Sequence, residues 1–213
     1  FTCSWSDFFI EEADPWRAEA WEIIRQTPKH TYIILSKRFE RVIQPGSKWR
    51  LPWGLDFQPW PHVMLVASVE DQPTADKRVA ELLQMSAARR GVSYEPALGR
   101  IDFGDIKCIG AGFMDSLKGG DCQTEEYGAD YLDWIVVGGE SARPCKKARP
   151  FHLEWAFDAL AQCRAAGGAC FIKQLGSNPY YQGKPLRLRD WKGGDMSEWP
   201  KALRVREFPK TDH

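Results

Sequence analysis

The stretch 132–141 has the sequence LDWIVVGGES, a short apolar run followed by two glycines, a carboxylate and a hydroxyl group. This pattern predicts a buried parallel strand that ends in a polar loop. Four other stretches also begin apolar and end in charged or polar residues: HTYIILSKR from His30, HVMLVASVED from His62, GVSYEP from Gly91 and ACFIKQ from Ala169. Since successive buried strands with polar ends usually build one site, we expect a single site at these strand ends.

The segments between these strands predict helices. Apolar residues at helical spacing mark one face of each: Trp16, Ala20, Ile23 and Ile24 in the first, Ala75, Val79, Leu82 and Leu83 in the second, and Leu153, Phe157, Leu160 and Ala161 in the third. Asp14 and Thr74 are the expected N-caps of the first two helices. The opening stretch FTCSWSDFF predicts a further strand that ends near Asp7.

About six strands that alternate with helices favour βαβ units and a parallel sheet. The predicted fold class is therefore α/β, as a TIM-like (β/α) barrel that is full or partial, because 213 residues are fewer than the roughly 250 of a complete barrel. A doubly wound open sheet is the alternative, weakened by the lack of a GxGxxG motif. We expect one domain over residues 1–213, with an insertion on the active face at about 99–131 and a C-terminal extension at about 176–213.

Composition limits the classes of partner. Lys and Arg number 29, as do Asp and Glu, so the net charge is zero and there is no overall attraction to nucleic acid or anionic membranes. No apolar run approaches the roughly 20 residues of a membrane helix. The six cysteines are scattered without a CxxC pair, which predicts reduced thiols in a cytoplasmic protein and no complete metal motif. Because Phe1 falls inside a predicted strand, we expect the chain to have lost N-terminal residues.

The predicted strand ends bring acids, bases and hydroxyl groups to one pole of the sheet. These residues are Ser6 and Asp7, Lys37 and Arg38, Glu70 and Asp71, Glu95, Glu140 and Ser141, and Lys173 and Gln174. Such a set can bind a charged small molecule, and its members can shift one another's pKa values. Helix capping and salt bridges at the rim of a barrel are the structural alternative for each residue taken alone.

Three chemistries fit this set. Glu70, Glu95 and Glu140 can supply paired carboxylates for glycoside hydrolysis. A carboxylate cluster can hold a divalent metal, although a His-rich centre is not expected, because three of the four histidines fall at strand or helix starts. The two glycines and Glu140 can bind the amino and carboxylate groups of an amino-acid-like cofactor.

Several blocks of the chain carry a family resemblance. They are FTCSWSDFF, HTYIILSKRFERV, SVEDQPTADKR, SYEPALGRIDF, LDWIVVGGES, FIKQLG and KGGDMSEWPKALRVREFP. In this order they resemble a phage and prophage protein family of unknown function that carries a three-cysteine motif and is similar to radical S-adenosylmethionine (SAM) proteins. The resemblance implies a TIM-like barrel and three N-terminal cysteines that hold a [4Fe–4S] cluster, with one iron left to bind SAM. This sequence lacks those cysteines, so we expect no cluster to assemble on it, and we interpret Cys3 as strand packing.

The same blocks imply site residues. The candidate catalytic residues are Asp7, Lys37, Glu70, Glu95, Glu140 and Lys173. The candidate cofactor-binding residues are Ser6, Arg38, Asp71, Gly138, Gly139, Ser141, Arg149 and Gln174. We expect Gly138 and Gly139 to let the backbone approach a ligand, Glu140 to accept hydrogen bonds from an ammonium group, and Lys173 or Arg149 to pair with a carboxylate or phosphate.

Three functions follow as hypotheses. The first is a radical-SAM-like phage or prophage enzyme that acts on nucleic acid, a nucleotide or another small molecule. The second is a non-catalytic nucleic-acid-binding accessory protein, suggested by a basic and aromatic tail: Lys184, Arg187, Arg189, Trp191 and Lys192. A packed C-terminal extension is the alternative interpretation of that tail. The third is a barrel hydrolase that uses the strand-end carboxylates.

Overall fold

A parallel sheet of five strands forms the centre of the computed structural model, which describes residues 2, 6–44, 51–53, 58–107, 112–119 and 131–210. The strands are β1 (Tyr32–Ser36), β2 (Val63–Val69), β3 (Arg89–Tyr94), β6 (Trp134–Gly138) and β8 (Ala169–Gln174). Their order in the sheet is β1-β2-β3-β6-β8, and every neighbouring pair is parallel. The predicted parallel α/β fold is confirmed, and LDWIVVGGES contains β6 with its following loop.

Helix α1 (Asp14–Gln26) precedes β1. Three further helices lie between strands of the sheet: α2 (Glu40–Ile43) between β1 and β2, α3 (Gln72–Leu83) between β2 and β3, and α4 (Leu153–Ala166) between β6 and β8. Ile24 of α1, Val79 of α3 and Leu160 of α4 belong to one hydrophobic core. Right-handed crossovers between strands that follow one another in a single direction place their helices on the same face of the sheet. The strand order contains no reversal, unlike that of a doubly wound sheet. The described strands form an open sheet.

The two faces of the sheet differ in what covers them. Leu65 and Val137 point into the core beneath the helices. Met64, Val66 and Trp134 form a separate cluster on the other face. Successive side chains of a strand point to opposite faces of the sheet. At the carboxyl edge, each face therefore presents a different set of residues.

Chain segments extend the sheet beyond both edge strands. Thr2 forms a parallel bridge to Ile34 of β1, whereas residues 6–9, at the end of the strand predicted from FTCSWSDFF, lie in a bend and a turn. Residues 3–5, which include Cys3, lie outside the described residues. At the other edge, Phe171 of β8 pairs with Arg206 in antiparallel orientation. The C-terminal segment therefore adds an antiparallel edge to a parallel sheet.

The expected insertion at about 99–131 lies partly on the helical side. Its described part includes the short hairpin strands β4 (Ile106–Lys107) and β5 (Phe113–Met114). The backbone N–H of Phe103, a fully buried residue, donates to Gln162 Oε1 of α4 at 2.7 Å. The backbone N–H of Asp102 donates to Gln72 Oε1 of α3 at 2.7 Å. The described part therefore contacts α3 and α4. Residues 108–111 and 120–130, with Cys108 and Cys122, lie outside the described residues, and the expected position of the insertion on the active face stays a prediction.

The C-terminal extension is folded against the rest of the chain. It contributes β9 (Pro179–Tyr181) and β10 (Lys184–Pro185), which form a second sheet with β7 (Phe151–His152). Two short 3-10 helices follow, Met196–Glu198 and Lys201–Leu203, and the side chains of Trp199 and Leu203 are buried. This is the packed extension that the sequence offered as an alternative to a nucleic-acid-binding tail.

The start of α1 differs from its prediction. Ala13 is the N-cap, and Asp14 instead binds two arginines through its carboxylate. Trp16 and Ile23 were expected in the core, but they are 64% and 53% exposed. The buried face carries Ile24, as predicted, together with Trp21. No helix in the described part of the chain is long and apolar enough to cross a membrane.

Candidate functional site

A cleft of about 630 Å³ lies at the carboxyl ends of the parallel strands. Its walls come from four of the five strands and from the C-terminal extension. The lining residues are Leu35, Ser68, Ser93, Glu95, Pro96, Gly139, Glu140, Ser141, Ala142, Arg143, Arg149, Gln174, Trp191 and Lys192. The expectation that polar strand ends converge on one place is met by Glu95, Gly139, Glu140, Ser141, Arg149 and Gln174.

Glu95 is the central carboxylate of the cleft. Lys173 Nζ donates to Glu95 Oε2 at 2.8 Å, which joins the end of β3 to the end of β8. Between them lies Gly138 of β6, where a Cβ atom would stand 2.8 Å from Glu95 Oε1. The carboxylate can therefore reach across the sheet only because residue 138 has no side chain. Glu95 is largely shielded from solvent, whereas the side chain of Lys173 is half exposed.

Glu140 and Arg149 form the second ion pair. Arg149 Nε and its backbone N–H donate to Glu140 Oε2 at 2.8 and 3.0 Å, and Nη2 donates to Oε1 at 2.9 Å. The hydrogen bonds from Arg149 lower the pKa of Glu140 to about 2. Glu140 is thus ionised at neutral pH and is not suited to act as a general acid. The two residues that we expected to contact a ligand separately are held by each other.

The glycines of GGES allow close backbone packing. A Cβ atom on Gly139 would lie 2.3 Å from the carbonyl oxygen of Leu175, so the loop after β6 is pressed against the loop after β8. Gln174 Nε2 joins the same loops by donating to Gly139 O at 3.0 Å and to Ser141 Oγ at 2.9 Å. Gly138 and Gly139 were expected to let the backbone approach a ligand. In the structure they let it approach other atoms of the protein, and these closely packed loops form the floor of the cleft.

A third group of charged residues lies at the carboxyl ends of β1 and β2. Lys37 Nζ donates to Glu70 Oε1, and Arg78 Nη1 donates to Glu70 Oε2 at 2.8 Å. Asp7 accepts from Ser36 Oγ and from the backbone N–H of Lys37, both at 2.7 Å. Glu70 is held between two cations, and Asp7 ties the N-terminal segment to β1. These residues flank the cleft and do not line it.

Three other predicted site residues lie away from the cleft wall. Asp71 is the N-cap of α3: its carboxylate accepts from the backbone N–H of Thr74 at 3.1 Å, in a capping box. Thr74, expected as the N-cap, is the third residue of that helix. Ser6 and Arg38 are exposed near the end of β1. Capping of α3 therefore explains why an acidic residue follows β2 at position 71 without any ligand.

Sequence reasoning missed several residues of the cleft. Ser68 and Ser93 face each other across β2 and β3, and both are buried. They precede Glu70 and Glu95 by two residues, so the alternation of strand side chains is the signal that could have found them. Arg143 was missed as well, whereas Lys192, which also lines the cleft, was predicted only as part of a nucleic-acid-binding tail. Neither Arg143 nor Lys192 has an acidic partner within 4.0 Å among the described residues.

The described residues do not supply a metal or cluster site. No three His, Cys, Asp or Glu side chains among them are placed to bind a metal ion. Cys145 is exposed, while Cys163 and Cys170 are buried away from the cleft, and a hydrogen bond to Cys163 together with burial raises the pKa of Cys170. His62 directly precedes β2, and its ring stacks on the ring of Trp60. The donor set of the cleft suits an organic, charged ligand.

Comparison with known proteins gives one match. Residues 1–200 match the family described as "Protein of unknown function (DUF5131)". No curated protein matches the chain significantly, and neither does any solved structure.

Proposed function

The chain belongs to this uncharacterised family, and we propose that it is part of a radical-SAM-like enzyme of a phage or prophage. In this proposal the sheet is part of a (β/α) barrel, and the cleft at its carboxyl end binds SAM. The observation that carries the proposal is the convergence of Glu95, Lys173, Glu140 and Arg149 on one cleft at the ends of parallel strands. Active sites in barrels of this kind lie at that end.

The two ion pairs suit the amino-acid end of SAM. A zwitterion presents one ammonium and one carboxylate. The ammonium can replace Lys173 at Glu95, and the carboxylate can pair with Arg149 while Lys146, whose Nζ lies 3.7 Å from Glu140 Oε1, remains a partner for Glu140. Glu95 is the better acceptor for the ammonium group, because Lys173 is half exposed and can move into solvent. Arg149 keeps a fork of donors that matches a carboxylate. Ser141 and Gln174 add neutral polar groups beside them.

SAM together with an iron–sulfur cluster supplies radical chemistry when both are bound. The described cysteines do not form a three-thiolate set, so no step is assigned to a cluster on these residues. What this part of the chain offers is binding and orientation: charged groups for the amino acid, and a floor of closely packed backbone.

Calorimetric titration with SAM, S-adenosylhomocysteine, methionine and adenosine tests the proposal. Ligands that contain the amino acid should bind, and Glu95→Gln should weaken them about tenfold or more, as expected for the loss of a charge-assisted hydrogen bond. Glu22→Gln is the matched control, because Glu22 pairs with Arg25 on the exposed surface of α1. The proposal fails if SAM does not bind, or if Glu95→Gln binds it as tightly as the control.

The hydrolase alternative receives less support from the same geometry. Glycoside hydrolysis needs a carboxylic acid with a raised pKa beside a carboxylate. Glu70, Glu95 and Glu140 are each bound to a cation, and the pKa of Glu140 is lowered. Of the five tail residues that suggested the nucleic-acid alternative, Trp191 and Lys192 line the cleft, whereas Lys184, Arg187 and Arg189 do not.

A further inference from the structure

Trp191 lies at the mouth of the cleft and is 60% exposed. Lys192, the next residue, places its Nζ 5.0 Å from the centre of the Trp191 ring. Single exposed aromatic residues are ordinary on protein surfaces. This one differs because it borders a polar cleft and carries a cation beside its ring.

The turn that presents Trp191 is rigidly built. The carboxylate of Asp190 accepts from the backbone N–H groups of Lys192, Gly194 and Asp195 at 3.0, 2.6 and 3.0 Å. These hydrogen bonds lower the pKa of Asp190. Glu198 accepts from the backbone N–H of Asp190 at 3.0 Å. The exposure of Trp191 is therefore a feature of an ordered turn.

The same turn is joined to the floor of the cleft. Gly193 O accepts from the backbone N–H of Leu175 at 2.8 Å and from Trp199 Nε1 at 3.0 Å. Gly193 has φ +63°, and a Cβ atom there would lie 2.6 Å from Gly176 O. Because Leu175 also contacts Gly139, the position of Trp191 is fixed relative to the GGES loop. A Trp side chain has only two rotatable bonds, so it loses little conformational entropy when it binds a ligand.

The charges at the mouth favour an anion. Both acids of the lining, Glu95 and Glu140, are already paired with Lys173 and Arg149. Arg143 and Lys192 have no acidic partner within 4.0 Å in the described part of the chain. The cleft is thus locally cationic on a chain whose net charge is zero. Phosphate groups are the usual anions that basic side chains bind beside a stacked ring.

We propose that Trp191 is a stacking platform for a nucleobase and that Lys192 and Arg143 contact the attached phosphate. This deepens the proposed function, on which it rests, by naming the second substrate of the cleft as a nucleotide, either free or within a single strand of nucleic acid. A flat base stacks on the indole, and the phosphate lies between the two basic side chains. SAM carries an adenine ring but no phosphate, so the phosphate contacts of Lys192 and Arg143 serve the other substrate.

The test measures nucleotide binding to the full chain and to matched variants. A fluorescein-labelled single-stranded oligonucleotide is followed by anisotropy, and AMP and dTMP are followed by calorimetry. Trp191→Ala should weaken binding by about 5- to 150-fold, and Trp191→Phe should retain most of it. Trp16→Ala is the control, because Trp16 is equally exposed but lies on α1. Lys192→Ala should lower the slope of log affinity against log salt by about one, unlike Lys29→Ala.

Each outcome decides the proposal. Binding of the oligonucleotide alone identifies a strand as the substrate, and binding of AMP or dTMP alone identifies a free nucleotide. The proposal is overturned if neither probe binds, or if Trp191→Ala and Trp16→Ala bind equally well. SAM titration of the wild-type chain separates the two claims: absence of SAM binding is a failure of the proposed function, whereas SAM binding without nucleotide binding overturns only the stacking platform. Thermal unfolding of each variant checks that it is folded.

Discussion

The carboxylate of Glu95 lies directly against the Cα of Gly138, where a side chain of any size would displace it. The contact joins the ends of two neighbouring strands, and it places the acid that Lys173 binds. A strand-end glycine in this sheet thus determines where a charged group stands. The geometry of the cleft depends on such backbone approaches as much as on its charges.

Replacing Gly138 by Ala should disturb both stability and binding. The added Cβ would lie 2.8 to 3.0 Å from three atoms of the Glu95 side chain, so that side chain must shift. We expect a loss of about 1–3 kcal/mol in the free energy of unfolding, as for other overpacked sites. Denaturant titration measures it, and SAM affinity should fall as well. Gly112→Ala is the control, because nothing lies within 4 Å of its Cβ position; equal effects at both positions would contradict the role of Gly138.

Gly176 and Gly183 separate backbone strain from steric contact. Their φ angles are +74° and +73°, but a Cβ at 176 would lie 2.6 Å from Glu140 O, while the position at 183 is open. Gly183→Ala should cost about 1–2 kcal/mol for the left-handed conformation alone. Gly176→Ala should cost more, since the loop after β6 must also move. Denaturant unfolding of both variants measures the difference. Equal losses in the free energy of unfolding would contradict the prediction that the contact with Glu140 O adds to the cost at position 176.

The Glu140–Arg149 pair should contribute to stability in a defined pH range. Because the pKa of Glu140 is lowered to about 2, its contribution is present above the unfolded pKa and is lost as the pH falls through about 2. A double-mutant cycle with Glu140→Gln and Arg149→Met should give a coupling of about 1 kcal/mol at pH 7.

The pair of Glu22 and Arg25 is the control for that cycle. The hydrogen bond from Arg25 also lowers the pKa of Glu22 to about 2. Both side chains are about half exposed, however, and solvent screens their charges. Its coupling energy should be the smaller of the two. A larger coupling for the exposed pair would contradict the importance assigned to Glu140.

Strand positions and the location of the cleft follow from the sequence because both depend on local patterns. The sequence does not, however, indicate which side chain each charged residue pairs with. Arg78 reaches Glu70 from α3, and the side chains of Glu140 and Arg149 bind each other, although each was expected to bind a ligand. Asp71 is a helix cap, a role that looks the same in sequence as a strand-end acid. Trp16 lies outside the core because the buried face of α1 is set by packing against the sheet, which helical spacing alone does not determine.

Glu81 should make the protein more stable at acidic pH. Its side chain is buried in α3, Oε2 makes no hydrogen bond within the described structure, and burial raises its pKa. The ionised form therefore lowers the free energy of unfolding as the pH rises from the unfolded pKa to the folded one, and the loss persists above it. Glu81→Gln should raise the free energy of unfolding at pH 7 and flatten this dependence. Urea unfolding at pH 4 to 8 measures it; a destabilised variant at pH 7 would contradict an unfavourable burial of the ionised carboxylate.

Hydrogen–deuterium exchange with and without saturating SAM tests most directly whether the strand-end cleft is the binding site. Binding at the cleft predicts slower exchange in the loop after β6, residues 139–143, and in the loop after β8, residues 175–177, because their backbone N–H groups line or support the cleft. Glu95→Gln should reduce this protection at the same SAM concentration. Unchanged exchange in both loops, or protection confined to the opposite ends of the strands, would contradict SAM binding at this site.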